Sequence, residues 1–183
     1  MRQLELIFND ALIGFLGQER DFLLSDVSER ATCARLALYM ERQLEREGVK
    51  GYYADAEYNR KQGGKVKTII NEEMKVITIT TDLIIHSRGN LQPPYDNLIA
   101  IEAKKSSRPA REKAEDIARL LAMTKKPNDG VWNFENGHPE HVCGYSLGIF
   151  MEIVRDRQEV RLMYFKNGEE CDQGLFSFSL DGV

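Results

Sequence analysis

The 183-residue chain has little cysteine, and what it has is scattered. Cys33, Cys143 and Cys171 are odd in number, widely spaced and never in C-x-x-C register. That excludes a disulfide framework and a zinc ribbon, and it predicts a reducing, cytoplasmic setting. No apolar run approaches the ~20 residues that cross a bilayer, so no membrane association is expected. The opening Met1-Arg2-Gln3-Leu4-Glu5 carries an acid early and leads to no small-residue cleavage site, so no secretory leader is expected. Histidine is scarce as well. His138 and His141 flank Pro139-Glu140, and H-P-E-H lacks the helical H-E-x-x-H spacing of a zinc protease. Neither G-x-x-x-x-G-K-[ST] nor G-x-S-x-G occurs, which removes the common nucleotide-hydrolase and serine-hydrolase motifs. The net charge of −4 speaks against a general nucleic-acid coat but leaves room for a locally basic surface.

What is present suits one globular domain: 42% hydrophobic and 30% charged residues, with no repeat and no low-complexity stretch. Leu4, Ile7, Phe8, Ala11, Leu12 and Phe15 recur at helical spacing and predict a first helix. Gly14 and Gly17 place its end near Phe15 or Leu16, and residues 1–24 read as a helical extension to a core at 26–166. A second helix is predicted from Val27 to Glu47, with Asp26-Val27-Ser28-Glu29 as capping box and Gly48 as stop. A strand is predicted from Val49 to Arg60, then a polar loop or hairpin tip from Lys61 to Lys75. Strands at 74–87 and 97–105 follow, and Pro109 opens a helix that closes near Thr124. Strands at 141–154 and 159–166, a turn at Asn167-Gly168 and a short strand at 176–180 complete the chain. This order implies an α/β fold, a mixed central sheet flanked by helices.

One pair of strands carries chemistry. Alternation places Asp82, Ile84 and His86 on one face of the first, and Ala100, Glu102 and Lys104 on one face of the second. If the strands pair, two carboxylates and an ammonium meet on an otherwise apolar surface. Such charges are costly to bury unless they pair or bind something, and a hard divalent cation is the natural partner.

Asp82, then Glu102-Ala103-Lys104, resembles the D…(D/E)-x-K signature of the PD-(D/E)XK nuclease superfamily. Thr81 stands where that pattern often has proline. Glu57-Tyr58-Asn59-Arg60, Ile84-Ile85-His86 with Arg88-Gly89, and Gly144-Tyr145-Ser146-Leu147-Gly148 extend the resemblance over roughly residues 29 to 152. It implies a restriction-endonuclease-like αβββαβ core in a small single-domain member, and metal-dependent hydrolysis of phosphodiesters. Asp82, Glu102 and the Ala103 carbonyl would hold magnesium, with manganese as a substitute. Lys104 would stabilise developing negative charge or orient the attacking water.

The resemblance also nominates two further acids. A helix before the sheet commonly supplies one to such a site, which points to Glu29; the other reading is that Glu29 only closes its capping box. Glu57 could line the site or simply lie on a polar face, and Asp55 reads as an exposed acid or a partner of Arg60. His86 could bind phosphate or move a proton, or be a buried, hydrogen-bonded histidine. Arg60, Lys61, Arg88, Lys105 and Arg108 are the candidate nucleic-acid contacts, against the alternative of solvated charge. Two functions stay open: a nuclease, on DNA before RNA and in defence or nucleic-acid processing, or a catalytically inactive module of the same fold that binds nucleic acid or protein. Either is compatible with a homodimer.

Overall fold

A computed structural model describes residues 2–58, 68–70, 76–78, 81–91, 95–125 and 144–179. Three helices lead: α1 (Arg2–Gln18), α2 (Arg20–Leu24) and α3 (Glu29–Arg46). Strand β1 (Tyr53–Tyr58) follows, then β2 (Thr68–Ile70) and β3 (Val76–Thr78), which pair with each other as a separate antiparallel sheet. Strands β4 (Thr81–His86) and β5 (Asn97–Lys105), helix α4 (Ala110–Thr124), and strands β6 (Leu147–Val154), β7 (Glu159–Lys166) and β8 (Glu169–Ser177) complete the order.

Six strands form one sheet in the order β1-β4-β5-β6-β7-β8. All neighbours are antiparallel except β5 and β6, which run parallel and are connected across α4. The predicted α/β class with a mixed, helix-flanked sheet is therefore what the chain adopts. Strand β5 is central, and Ile99 to Ala103 is buried throughout, as a strand covered on both faces must be. Glu102 is the one charged residue in that buried run.

Apolar residues on one side of the sheet join α1 and α3 in the larger core; α4 covers the other side with Leu120 and Met123 against Ile84, Ala100, Phe150 and Phe165. The amino-terminal segment is integral to the larger core. Ile7, Phe8, Leu12 and Phe15 join Leu36, Met40 and Leu44 of α3, and the Phe15 and Tyr39 rings meet edge to face at 5.6 Å. That packing carries α1 through Gly14 and Gly17 to Gln18, beyond the predicted end. Ser28 caps α3 by accepting from the Ala31 N–H at 3.1 Å, so Glu29 is free of capping duty. Gly148 lets α4 sit close on β6, since a Cβ there would lie 2.9 Å from Thr124 Cγ2 and 3.2 Å from Phe165 Cβ.

Other boundaries differ from expectation too, and β1 and β6 start later, at Tyr53 and Leu147. The predicted strand at 74–87 is split, with β3 in the small sheet and β4 in the large one. The last strand starts at Glu169, straight after the Asn167-Gly168 turn, and extends the sheet past residue 166. Its outward edge is too polar to show a buried period.

Candidate active site

The pairing of β4 with β5 runs through Ile85–Ile99, Ile84–Ala100 and Leu83–Ile101. Beyond Leu83, side chains replace the ladder. The Ala103 N–H donates to Asp82 Oδ2 at 2.9 Å, and the Lys105 N–H donates to Glu29 Oε1 at 3.0 Å. Backbone amides need acceptors, and here two carboxylates supply them while the strands part. Asp82 and Glu102 stand opposite each other one residue past the last paired position, Leu83–Ile101.

Glu102 is 1% exposed and stands opposite Asp82 across the two strands, near enough that each carboxyl acts on the ionisation of the other. Two carboxyls so placed share a proton or a cation. Burial pushes Asp82 above its ordinary value, against the pull of the Ala103 amide and of Lys104. Burial, helped by the fields of Asp82 and Asp116, pushes Glu102 up to about 8, even though Arg119 pulls the other way. The pair therefore retains a proton near neutrality.

Helix α4 supplies the rest of the network. Arg119 Nε donates to Glu102 Oε1 at 3.0 Å, and its Nη2 donates to Asp116 Oδ1. Lys104 Nζ lies 2.9 Å from Asp116 Oδ2, an ion pair without hydrogen-bond alignment. Asp116 is 2% exposed. When every group is ionised, Asp82, Glu102 and Asp116 carry three negative charges against two positive ones on Lys104 and Arg119.

Sequence reasoning did not find Asp116 and Arg119. The signal was present: Leu120 and Met123 are the buried stripe of α4, and one turn back at helical spacing it ends on Asp116. Thr81 gains a role that proline could not have, since its hydroxyl donates to Met123 Sδ of α4 at 3.6 Å. Beneath the site, Cys33 is fully buried, and its thiol is pushed well up by burial and by the fields of Asp82, Glu102 and Glu29.

The other nominated residues are placed as follows. Glu29 is neither a simple cap nor in contact with the carboxyl pair. It accepts from the Lys105 amide and from Arg108, at 3.0 Å to Nε and 3.2 Å to Nη2. Burial opposes its ionisation, yet these bonds and the field of Lys104 hold its carboxyl below the usual range. Glu57 lies across β1 from Asp82 in left-handed backbone, φ 51°, and pairs with Arg30. A left-handed non-glycine residue costs on the order of 1–3 kcal/mol.

His86 does not join the site. It is buried four residues along β4 from Asp82, roughly 13 Å by strand rise, and its Nε2 lies 2.9 Å from Asp55 Oδ2. Arg88 grips the same Asp55 through Nε at 2.7 Å and Nη2 at 2.6 Å and stacks over Tyr53. Lys105 is held by Asp26 at 2.8 Å and Arg108 by Glu29, so neither offers an unpaired cation. Arg60 and Lys61 lie outside the described residues.

Among the described residues, no three His, Cys, Asp or Glu side chains gather as a ready cation cage. No helix among the described residues is long and apolar enough to cross a membrane. No protein-family model and no curated protein matches the chain.

Proposed function

We propose that the chain is a divalent-metal-dependent phosphodiester hydrolase, a nuclease built on a restriction-endonuclease-like core. The observation that carries this reading is the facing of Asp82 on β4 and buried Glu102 on β5, with Lys104 on the same face as Glu102 and ion-paired to Asp116. The element order α3-β1-β4-β5-α4-β6, with antiparallel strands before α4 and a parallel one after it, supports the αβββαβ assignment.

The donor set fits a hard cation. Magnesium commonly takes one or two carboxylates and keeps several waters, so a two-carboxyl site with the Ala103 carbonyl as third donor suits it, with manganese as substitute. The negative charge that the cluster gains once the pair loses its proton supports the same choice. When bound, the ion supplies phosphate charge neutralisation and a water acidic enough to attack near neutral pH. Asp82 and Glu102 would hold the ion, in competition with the proton that burial favours on Glu102. Arg119 fixes one oxygen of Glu102. Lys104, charged and on the same strand face as Glu102, donates to the oxygen on which negative charge develops or orients the water. Glu29 and Arg108 brace β5 behind them.

DNA is the favoured substrate over RNA, and the free thiols of Cys33 and Cys171 suit a cytoplasmic location. A second reading, an inactive module that binds nucleic acid or protein, draws on the ion pairs that occupy Arg88, Lys105 and Arg108. The deciding experiment is magnesium- or manganese-dependent cleavage of a panel of DNA and RNA substrates by the wild type, Asp82→Ala and Glu102→Ala. Cleavage lost in both variants is expected. Nucleic-acid binding with no cleavage and no metal affinity in the wild type selects the inactive module.

A further inference from the structure

Lys104 and Glu102 share a strand face, yet Lys104 is paired with Asp116 of α4. Arg119 divides its guanidinium between Glu102 and the same Asp116. Asp82 has no ion-pair partner among the described residues. Without Asp116, Lys104 and Arg119 would balance Asp82 and Glu102 one for one, and a metal ion would find no charge to satisfy. With Asp116 in place, one negative charge is in excess once the Asp82–Glu102 pair has given up its proton.

We infer that Asp116, a positioning residue that need not touch the metal, is what makes the Asp82–Glu102 pair demand a divalent cation, because it holds Lys104 off the pair. The inference rests on the nuclease reading for its biological meaning, but its physics concerns only charges already in contact. A buried carboxylate that accepts from Arg119 and is ion-paired with Lys104 also fixes where those cations sit. Asp116 therefore does two things at once. It keeps Lys104 charged and beside the site, and it stops that ammonium from occupying the place of the ion.

The test uses calorimetric titration of the full chain with manganese chloride. Asp116→Asn keeps the shape of the side chain but removes its charge. It should weaken manganese affinity about ten- to a hundred-fold, the usual cost of removing a group that orients metal ligands. The double variant Asp116→Asn/Lys104→Met restores one excess negative charge and should regain most of that loss. A purely structural role for Asp116 predicts the opposite, since a second buried substitution would add damage. Unchanged affinity in Asp116→Asn, or a double variant that binds no tighter than the single one, overturns the inference. If Asp116→Asn does not fold, Lys104→Met alone decides, with tighter manganese binding expected and unchanged binding against it. A wild type that binds no manganese sinks the nuclease reading instead. The inference is then judged on a metal-free crystal structure of Asp116→Asn. Lys104 Nζ moved onto the Asp82 carboxyl upholds it, and Lys104 still beside residue 116 overturns it.

Discussion

Asp82 Oδ2 accepts the Ala103 N–H at 2.9 Å, so the carboxyl that would hold the ion also closes the hydrogen bonding of β5. The two duties separate by substitution. Asp82→Asn keeps an acceptor for Ala103 and removes the charge, so it should abolish metal affinity and cleavage while the fold persists. Its metal-free melting temperature should equal or exceed that of the wild type, because a facing carboxyl pair is relieved. Asp82→Ala leaves the amide bare and should cost about 1–3 kcal/mol as well. Urea unfolding and metal titration of the two variants, side by side, check this.

Glu102 gives a pH signature. Its carboxyl moves from an ordinary 4.5 to about 8 on folding. Between those values the folded chain binds the extra proton, so metal-free stability falls as pH rises through that window, by up to roughly 1.4 kcal/mol per pH unit. Glu102→Gln should flatten this slope. Metal affinity should move the other way and rise with pH, because the ion displaces the proton. Melting temperatures across the window with and without manganese measure both trends. A slope equal in wild type and Glu102→Gln would assign it to other groups.

Glu29 should prove a brace of β5. Glu29→Ala strips the acceptor from the half-buried Lys105 amide and frees Arg108, and should destabilise the chain by about 1–3 kcal/mol. Ser28 still caps α3, so helix content by circular dichroism should persist. Manganese affinity should change far less than in Asp82→Asn. A loss as large as that of Asp82→Asn would place Glu29 among the ligands.

The adjacency of Asp82 and Glu102 was legible because period two is rigid: strand residues share a face whatever packs on them. Pro109 and Asn167-Gly168 were legible because their backbone preferences are local. His86 shows the limit of the same rule, since sharing a face with Asp82 says nothing of distance along the strand. Asp116 and Arg119 were hidden for another reason. Charged residues on a helix ordinarily face water, and only the docking of α4 through Gly148 turns Asp116 inward onto Lys104. The length of α1 depended on packing against α3, which outweighs the ~1 kcal/mol cost of each helical glycine.

Lys104 should separate binding from turnover. Its ammonium lies beside the carboxyl pair and cannot ligate a cation, so its removal takes away competing positive charge and no donor. Lys104→Met should therefore bind manganese more tightly than the wild type. It should also turn over more slowly, on the order of 10²–10³-fold, because one preorganised group facing the developing charge is gone. Affinity and rate moving in opposite directions is hard to obtain from a general loss of structure, which lowers both. The measurement pairs calorimetric affinity with single-turnover cleavage at saturating manganese, so that weaker metal binding cannot pass for slower chemistry. If the rate matches wild type while affinity rises, Lys104 tunes the charge of the site and another group meets the phosphate. Arg119 is then the next to test, as the remaining cation in contact with Glu102. If affinity falls with the rate, Lys104 supports the geometry of the carboxyl pair, and the charge argument built on Asp116 falls with it.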